Sequence, residues 1–161
     1  MDASDKILSP AALPGWRNTL RQRGQRLVVT NGCFDLLHVG HVTYLQAARS
    51  YGDALLVGLN GDNSVRQLKG PDRPINNETD RATVLAALAA VDAVSVFPES
   101  TATSFLRLAN PDIYVKGGDY TVDTLNQEER QAVEQGGGRI IIIPFVPGKS
   151  TTALVTRLLQ L

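Results

Sequence analysis

Five short stretches of the chain are apolar and rich in β-branched residues: RLVVTN, ending at Asn31, then ALLVGLN, AVSVF, DIYVK and RIIIIPF. Runs of this length without polar alternation predict strands covered on both faces. Between them lie stretches of helical period. HVTYLQAARSYG sets Val42, Leu45 and Ala48 on one face and stops at Gly52. RATVLAALAAV is Ala/Leu-rich, and Asn77 ahead of it offers a cap with an acid three residues on. STATSFLRLAN is closed by Pro111, and NQEERQAVEQGGG opens on a capping-box pattern and ends on glycines. STTALVTRLLQL starts a final helix at a Ser/Thr cluster. Strands alternating with helices predict an α/β fold, an open five-stranded parallel sheet with helices on both faces. Residues 1–25 are polar and punctuated by Pro10, Pro14 and Gly15, with a short amphipathic helix that puts Trp16 and Leu20 on one face. They are expected as an N-terminal extension to a domain over 26–161.

Composition narrows the function classes. The chain has 161 residues, 43% hydrophobic and 20% charged, with a formal net charge of zero. A neutral balance gives no broad electrostatic grip on nucleic acid or an anionic membrane, so any phosphate recognition must be local. Cys33 is the single cysteine. It allows no internal disulfide and fits a reducing compartment. No long apolar leader and no membrane-length stretch stands out, and the expected location is the cytoplasm.

Ligands of open parallel sheets bind beyond the carboxyl ends of the strands. The unusual polar segments all fall there: NGCFDLLHVGH after strand one, Asn60 and GDNS after strand two, KGGDY after strand four, and PFVPGKSTT after strand five. Both histidines of the chain, His38 and His41, stand where a helix begins, and Gly40 between them lets a ligand approach the backbone. Free N–H groups and the helix dipole already favour an anion at such a place. Phosphate is therefore the expected ligand. A zinc site needs three or four ligands, and no further His or Cys cluster is present. GKSTT at 148–152 is either a second anion trap or a plain Ser N-cap. Lys116 is placed to neutralise a phosphate, and Asp119 to bind a ribose hydroxyl or a base. Asp35 is a candidate for orienting a histidine or a substrate hydroxyl, or is a turn residue. Cys33 is expected as a small packed residue. Lys69 and Arg73 lie in the long polar connection KGPDRPINNETD, which either clamps a second phosphate or is a solvated loop. The P-loop spacing is absent because position 143 is Ile, and no GxGxxG follows strand one, which disfavours a nicotinamide dinucleotide.

GCFDLLHVGH resembles the GxFDxxHxGH motif of the cytidylyltransferase-like nucleotidyltransferases, and STT ahead of the last helix resembles their second signature. Within that superfamily, TNGCFDLLHVGHVTYLQAAR, LKGPDRPIN, RATVLAALAAVDAV, PDIYVKGGDY and STTALV are most similar to the heptose 1-phosphate adenylyltransferases, over roughly residues 24–161. The resemblance implies a Rossmann-like fold and AMP transfer from ATP to D-glycero-D-manno-heptose 1-phosphate, giving ADP-heptose and pyrophosphate for lipopolysaccharide or another surface glycan. It implies that His38 and His41 hold the triphosphate and stabilise the pentacoordinate α-phosphorus. Asn31, Phe34, Gly40, Asn60, Lys116, Gly117 and Asp119 would shape the nucleotide pocket, and Ser150, Thr151 and Thr152 would bind the leaving phosphates. Asp35, Lys69 and Arg73 are expected on the sugar-phosphate side. Mg²⁺ would be held mainly by the ATP phosphates, with no dedicated metal residue. The resemblance also implies a homo-oligomer, most simply a dimer. Many members carry a sugar-kinase domain ahead of this one, for which this chain is too short, so a stand-alone form is expected. Relatives that act on glycerol phosphate carry Arg where this chain has Phe145, and Lys149 stands at a position usually uncharged.

Other readings stay open at this stage. A related enzyme using CTP, or another phosphorylated acceptor, carries the same motifs. A nucleotide-binding regulatory module without catalysis is a second class.

Overall fold

The computed structural model describes residues 2–118 and 120–161. Its sheet holds five parallel strands: β1 (Leu27–Gly32), β2 (Ala54–Asn60), β3 (Ala93–Phe97), β4 (Ile113–Gly117) and β5 (Arg139–Ile143), in the order β3-β2-β1-β4-β5. Seven helices accompany it among the described residues: α1 (Leu13–Gln22), α2 (Val39–Arg49), α3 (Asp62–Lys69), α4 (Glu78–Ala86), α5 (Thr103–Ala109), α6 (Gln127–Gln135) and α7 (Thr151–Leu158). None is long and apolar enough to cross a membrane.

Alternation along each strand divides the core in two. Leu27, Val29, Leu56 and Tyr114 face one side and pack against Leu13 and Leu20 of α1, Phe105 and Leu106 of α5, and Val133 of α6. Val28, Leu55, Val57 and Val115 face the other and pack against Leu45 of α2 and Ala82 and Leu85 of α4. Fully burying each large aliphatic side chain contributes about 1.5–3 kcal/mol, so the strand centres hold the sheet. The edge strand β5 is only half-buried along Ile140–Ile143.

Residues 2–25 are built into the fold and do not hang off it. Ile7 forms a parallel bridge with Val94 on the β3 edge, and the Leu8 N–H donates to the Val94 carbonyl at 2.8 Å. Arg17, 2% exposed, pairs with Asp112 at 2.7 Å. Three readings of the sequence are corrected. The polar stretch after Asn60, to which the sequence assigned no helix, forms α3; of its apolar positions only Val65 is buried, so it carries little periodic signal. The helix expected to reach Val91 stops at Ala86. Asn126 caps α6 by accepting from the N–H groups of Glu128 and Glu129, yet Glu129 does not close a capping box, because its carboxylate is engaged elsewhere.

The site is positioned by a split at the sheet's centre. β1 pairs with β2 along its whole length, but with β4 only at Val28–Ile113 and Val29–Tyr114. Both strands run on past that point. Strand order reverses here, and the carboxyl ends part where ligands of such sheets bind.

Candidate active site

A cleft of about 990 Å³ opens at this split. It is lined by residues 31–35 after β1, the first turns of α2, Lys116 and Gly117 after β4, and 143–153 from β5 into α7. Lys69 and Arg73 close one side. Three of the four segments expected to converge do so. The fourth does not: Asn60 is 4% exposed and outside the cleft, its amide donating to Ser64 Oγ at 2.8 Å. The residues after it line a separate polar cavity with 77–80. Lys69, the last residue of α3, and Arg73 in the connection after it line the cleft in place of Asn60.

The histidines form the N-terminus of α2. His38 is the N-cap itself, not a first-turn residue, with φ −142° and ψ 173°. Its Nδ1 accepts from the Gly40 N–H at 3.1 Å, while the His38 N–H donates to His41 Nδ1 at 3.3 Å. This is a capping box made of two imidazoles. Each Nδ1 accepts a hydrogen bond from a backbone N–H, so each neutral ring carries its own proton on Nε2. The ring centroids lie 3.9 Å apart. Gly40 is required by this packing: a Cβ there would stand 2.8 Å from the His38 ring and 3.1 Å from Lys149 Cβ. Phe34, buried with a left-handed φ of 44°, supports the pair with its ring 5.4 Å from His41. A non-glycine residue held there stores about 1–3 kcal/mol of strain.

Burial, then His38, pushes His41 down to about 4; burial, then Lys149, lowers His38 as well. Both rings are therefore neutral donors at neutral pH. The sign for stability follows. The unfolded chain takes up the His41 proton near the ordinary 6.5, the folded chain only at about 4. Acidification through that window favours the unfolded state. Thermal melting midpoints are expected to fall from pH 6.5 to 4, with a smaller fall for His41→Gln.

The remaining expected residues divide clearly. Asn31, Phe34, Gly40, Lys116, Gly117, Ser150, Thr151 and Thr152 all line the cleft. Asp119 lies outside the described residues. Ser150 is the N-cap of α7, accepting from the Ala153 N–H at 3.0 Å, and its hydroxyl proton remains available. Thr151 Oγ1 donates to the Leu36 carbonyl at 3.3 Å, tying α7 to the histidine loop. Asp35 does not contact a histidine. It accepts from Arg73 Nε at 2.8 Å, the Ile75 N–H at 2.8 Å and the Asn76 N–H at 2.9 Å. Burial opposes its charge, but the two N–H groups and the guanidinium outweigh it and hold the carboxyl below its ordinary range. Its work is to anchor the 69–80 connection, with Arg73, over the cleft. Cys33 is half-buried at the cleft and not closed within the core. Burial raises its thiol, against the nearby cations, so it is no thiolate nucleophile.

Arg81 was not singled out by the sequence, where it reads as one polar position of a helix. It is the largest fully buried side chain. Its guanidinium donates to the carbonyls of Cys33 (2.6 Å), Asn60 (2.9 Å) and Asn76 (2.9 Å) and to Asp62 (2.7 Å). Three cleft-edge segments are thus held by one cation.

Charge in the cleft is one-sided. Lys69, Arg73, Lys116 and Lys149 line it against Asp35 alone among the described residues. In a chain of zero net charge this is a local anion site. Among the described residues no group of three or more His, Cys, Asp or Glu is placed to hold a metal ion.

Known proteins agree with this geometry. The profile of the cytidylyltransferase-like family matches residues 29–156. The chain is 50% identical over 157 residues to the bifunctional protein HldE of Geotalea uraniireducens, covering 98% of this chain and 32% of that protein. It is 53% identical over 140 residues to the HldE of Syntrophotalea carbinolica, covering 87% of this chain and 28% of that protein. It therefore spans about a third of the length of these curated relatives. Among solved structures, a lipopolysaccharide core biosynthesis protein from Thermoplasma volcanium superposes with a TM-score of 0.62 at 27% identity, over 76% of this chain and 98% of that one. A pantoate-β-alanine ligase from Francisella tularensis shares the fold alone, with a TM-score of 0.57 at 15% identity over 86% of this chain and 66% of that one.

Proposed function

The chain belongs to the cytidylyltransferase-like family of nucleotidyltransferases, and from that premise we propose that it transfers AMP from ATP to D-glycero-D-manno-heptose 1-phosphate. The products are ADP-heptose and pyrophosphate, and the activated heptose supplies lipopolysaccharide or another surface glycan. One observation carries the reading: the imidazole pair, Lys116 and the Ser150–Thr152 hydroxyls border a single cleft at the sheet's split.

The chemistry suits these groups. A phosphate oxygen of the sugar attacks the α-phosphorus of ATP, and the bond to the bridging oxygen breaks as pyrophosphate leaves. The nucleophile has a second pKa of about 6 and is already ionised at neutral pH. No general base is needed; positioning and charge neutralisation are. His38 and His41 supply Nε2–H donors at the α-phosphate, where charge grows in the pentacoordinate state. Lys116 neutralises the same phosphate from the floor of the cleft. Ser150, Thr151 and Thr152, at the start of α7, receive the leaving phosphates. Lys69 and Arg73 meet the sugar phosphate, with Arg73 held by Asp35.

A divalent ion fits this cleft only as a passenger on the triphosphate. The one described carboxylate lining it, Asp35, has both oxygens committed to Arg73, Ile75 and Asn76. Mg²⁺ bound to ATP would lower the repulsion between two anionic substrates.

The test is incubation with ATP, Mg²⁺ and heptose 1-phosphate, with mass detection of ADP-heptose; CTP and other phosphorylated acceptors serve as comparators. Preference for CTP, or for an alditol phosphate, would replace the substrates named here. The hydroxyl cluster has its own expected result. Ser150→Ala with Thr151→Ala weakens ATP binding more than sugar-phosphate binding, as measured by calorimetry. The reverse preference would move that segment to the acceptor side.

A further inference from the structure

Glu129 belongs to α6, on the face of the sheet opposite the histidines, and is 6% exposed. Burying a carboxylate is costly unless its oxygens are satisfied and its charge is faced. Here one oxygen accepts from the Ala102 N–H at 2.9 Å, at the N-cap of α5. The other lies 3.1 Å from the Tyr114 hydroxyl and 3.6 Å from Lys116 Nζ. The Tyr114 hydroxyl, fully buried, stands within donor reach of Asn31 Oδ1 at 2.6 Å as well as of that Glu129 oxygen, and its single proton is shared between them. Lys116 Nζ donates to that same Asn31 oxygen and to the Tyr114 hydroxyl, both at 3.3 Å.

The network therefore runs from α6 through the sheet to two residues of the cleft floor, Asn31 and Lys116. Capping α5 needs only an acceptor, which a neutral amide provides. The negative charge answers a different need, a cation beside it. The geometry also leaves Lys116 a free hand. An ammonium has three donors. Two go to Asn31 and Tyr114. At 3.6 Å, Glu129 faces the charge without taking the third.

We infer that Glu129, with Tyr114, is a positioning residue for Lys116: it fixes the ammonium from beneath the sheet with one N–H left for a substrate phosphate. Tyr114 stays protonated in this role, since burial, then Glu129, raises its hydroxyl well above the ordinary value. The inference rests on the adenylyl-transfer reading for what Lys116 touches.

A double-mutant cycle in the full chain tests it, using pyrophosphate release with ATP, Mg²⁺ and the sugar phosphate. Glu129→Gln is expected to lower kcat by about tenfold to a hundredfold, the scale of a misplaced catalytic group. In the Lys116→Met background the same change is expected to cause no further loss. Equal losses in both backgrounds, or a Glu129→Gln protein with wild-type kcat, would overturn the inference. If Glu129→Gln shows no cooperative melting, Tyr114→Phe takes its place in the cycle with the same expectations. Should the wild-type protein turn over no pair of nucleotide and phosphate, the reaction assigned above fails, and the cycle is read instead on ATP affinity by calorimetry. Non-additive effects there still support Glu129, and additive ones remove it.

Discussion

His41→Ala is expected to lower kcat by about 10²–10³-fold, the usual loss on removing one oriented transition-state donor. The size of the effect comes from preorganisation. The ring is fixed by the His38 N–H at Nδ1, by Phe34 at 5.4 Å between centroids and by the His38 ring at 3.9 Å. Its Nε2–H is thus aimed before substrate arrives, and no reorganisation is needed as charge builds on the α-phosphorus. Steady-state turnover with ATP and sugar phosphate, beside a melting curve for each protein, separates this from unfolding. Near-normal kcat in a folded variant would put the reacting phosphorus away from the imidazoles. The pair acts as a unit, so His38→Ala with His41→Ala should lose far less than the product of the single effects.

Arg81→Met is expected to destabilise the fold by about 3–5 kcal/mol, the range for removing one member of a buried ion pair. In a chain of this size that corresponds to a drop on the order of ten degrees in melting midpoint. The change would orphan the carbonyls of Cys33, Asn60 and Asn76 together, and leave Asp62 without its cation. Arg81→Lys should recover little, because a single ammonium cannot span four acceptors on three segments. Differential scanning calorimetry decides the matter. A midpoint unchanged in Arg81→Met would mean that the cleft-edge loops hold themselves, and that the guanidinium merely fills space among them.

How much of this was legible beforehand depends on the kind of signal. The five strands were readable because each is a burst of apolar residues, α2 because Val42, Leu45 and Ala48 recur at helical spacing, and α7 because a Ser/Thr cluster opens it. α3 was hidden: of its apolar side chains only Val65 is buried, so nothing periodic marks it. Glu129 was legible as a helix-start acid, which is a local pattern; its actual partners, Ala102 at the cap of α5 and Tyr114 and Lys116 of β4, lie 13 to 27 residues away. Asn60 misled for the opposite reason. It stands at a strand end where ligand residues gather, yet its amide is turned to Ser64 in the next helix. Asp35 reads as a site residue from its neighbours, but its oxygens belong to a loop some forty positions on.

What the chain's order of residues determined alone was the alternation of strands and helices, the paired imidazoles at a helix start, and the hydroxyl cluster at another. These are short-range matters, set by period, propensity and caps within a few residues. Tertiary structure decided which of the polar side chains are free and which are already engaged. Arg81, Asp35, Glu129 and Asn60 are all polar residues in polar-looking surroundings, and only packing across the sheet shows that each is held by distant partners. The reason is physical: a buried charge or amide must find its partners wherever the fold brings them, and sequence distance sets no limit on that search.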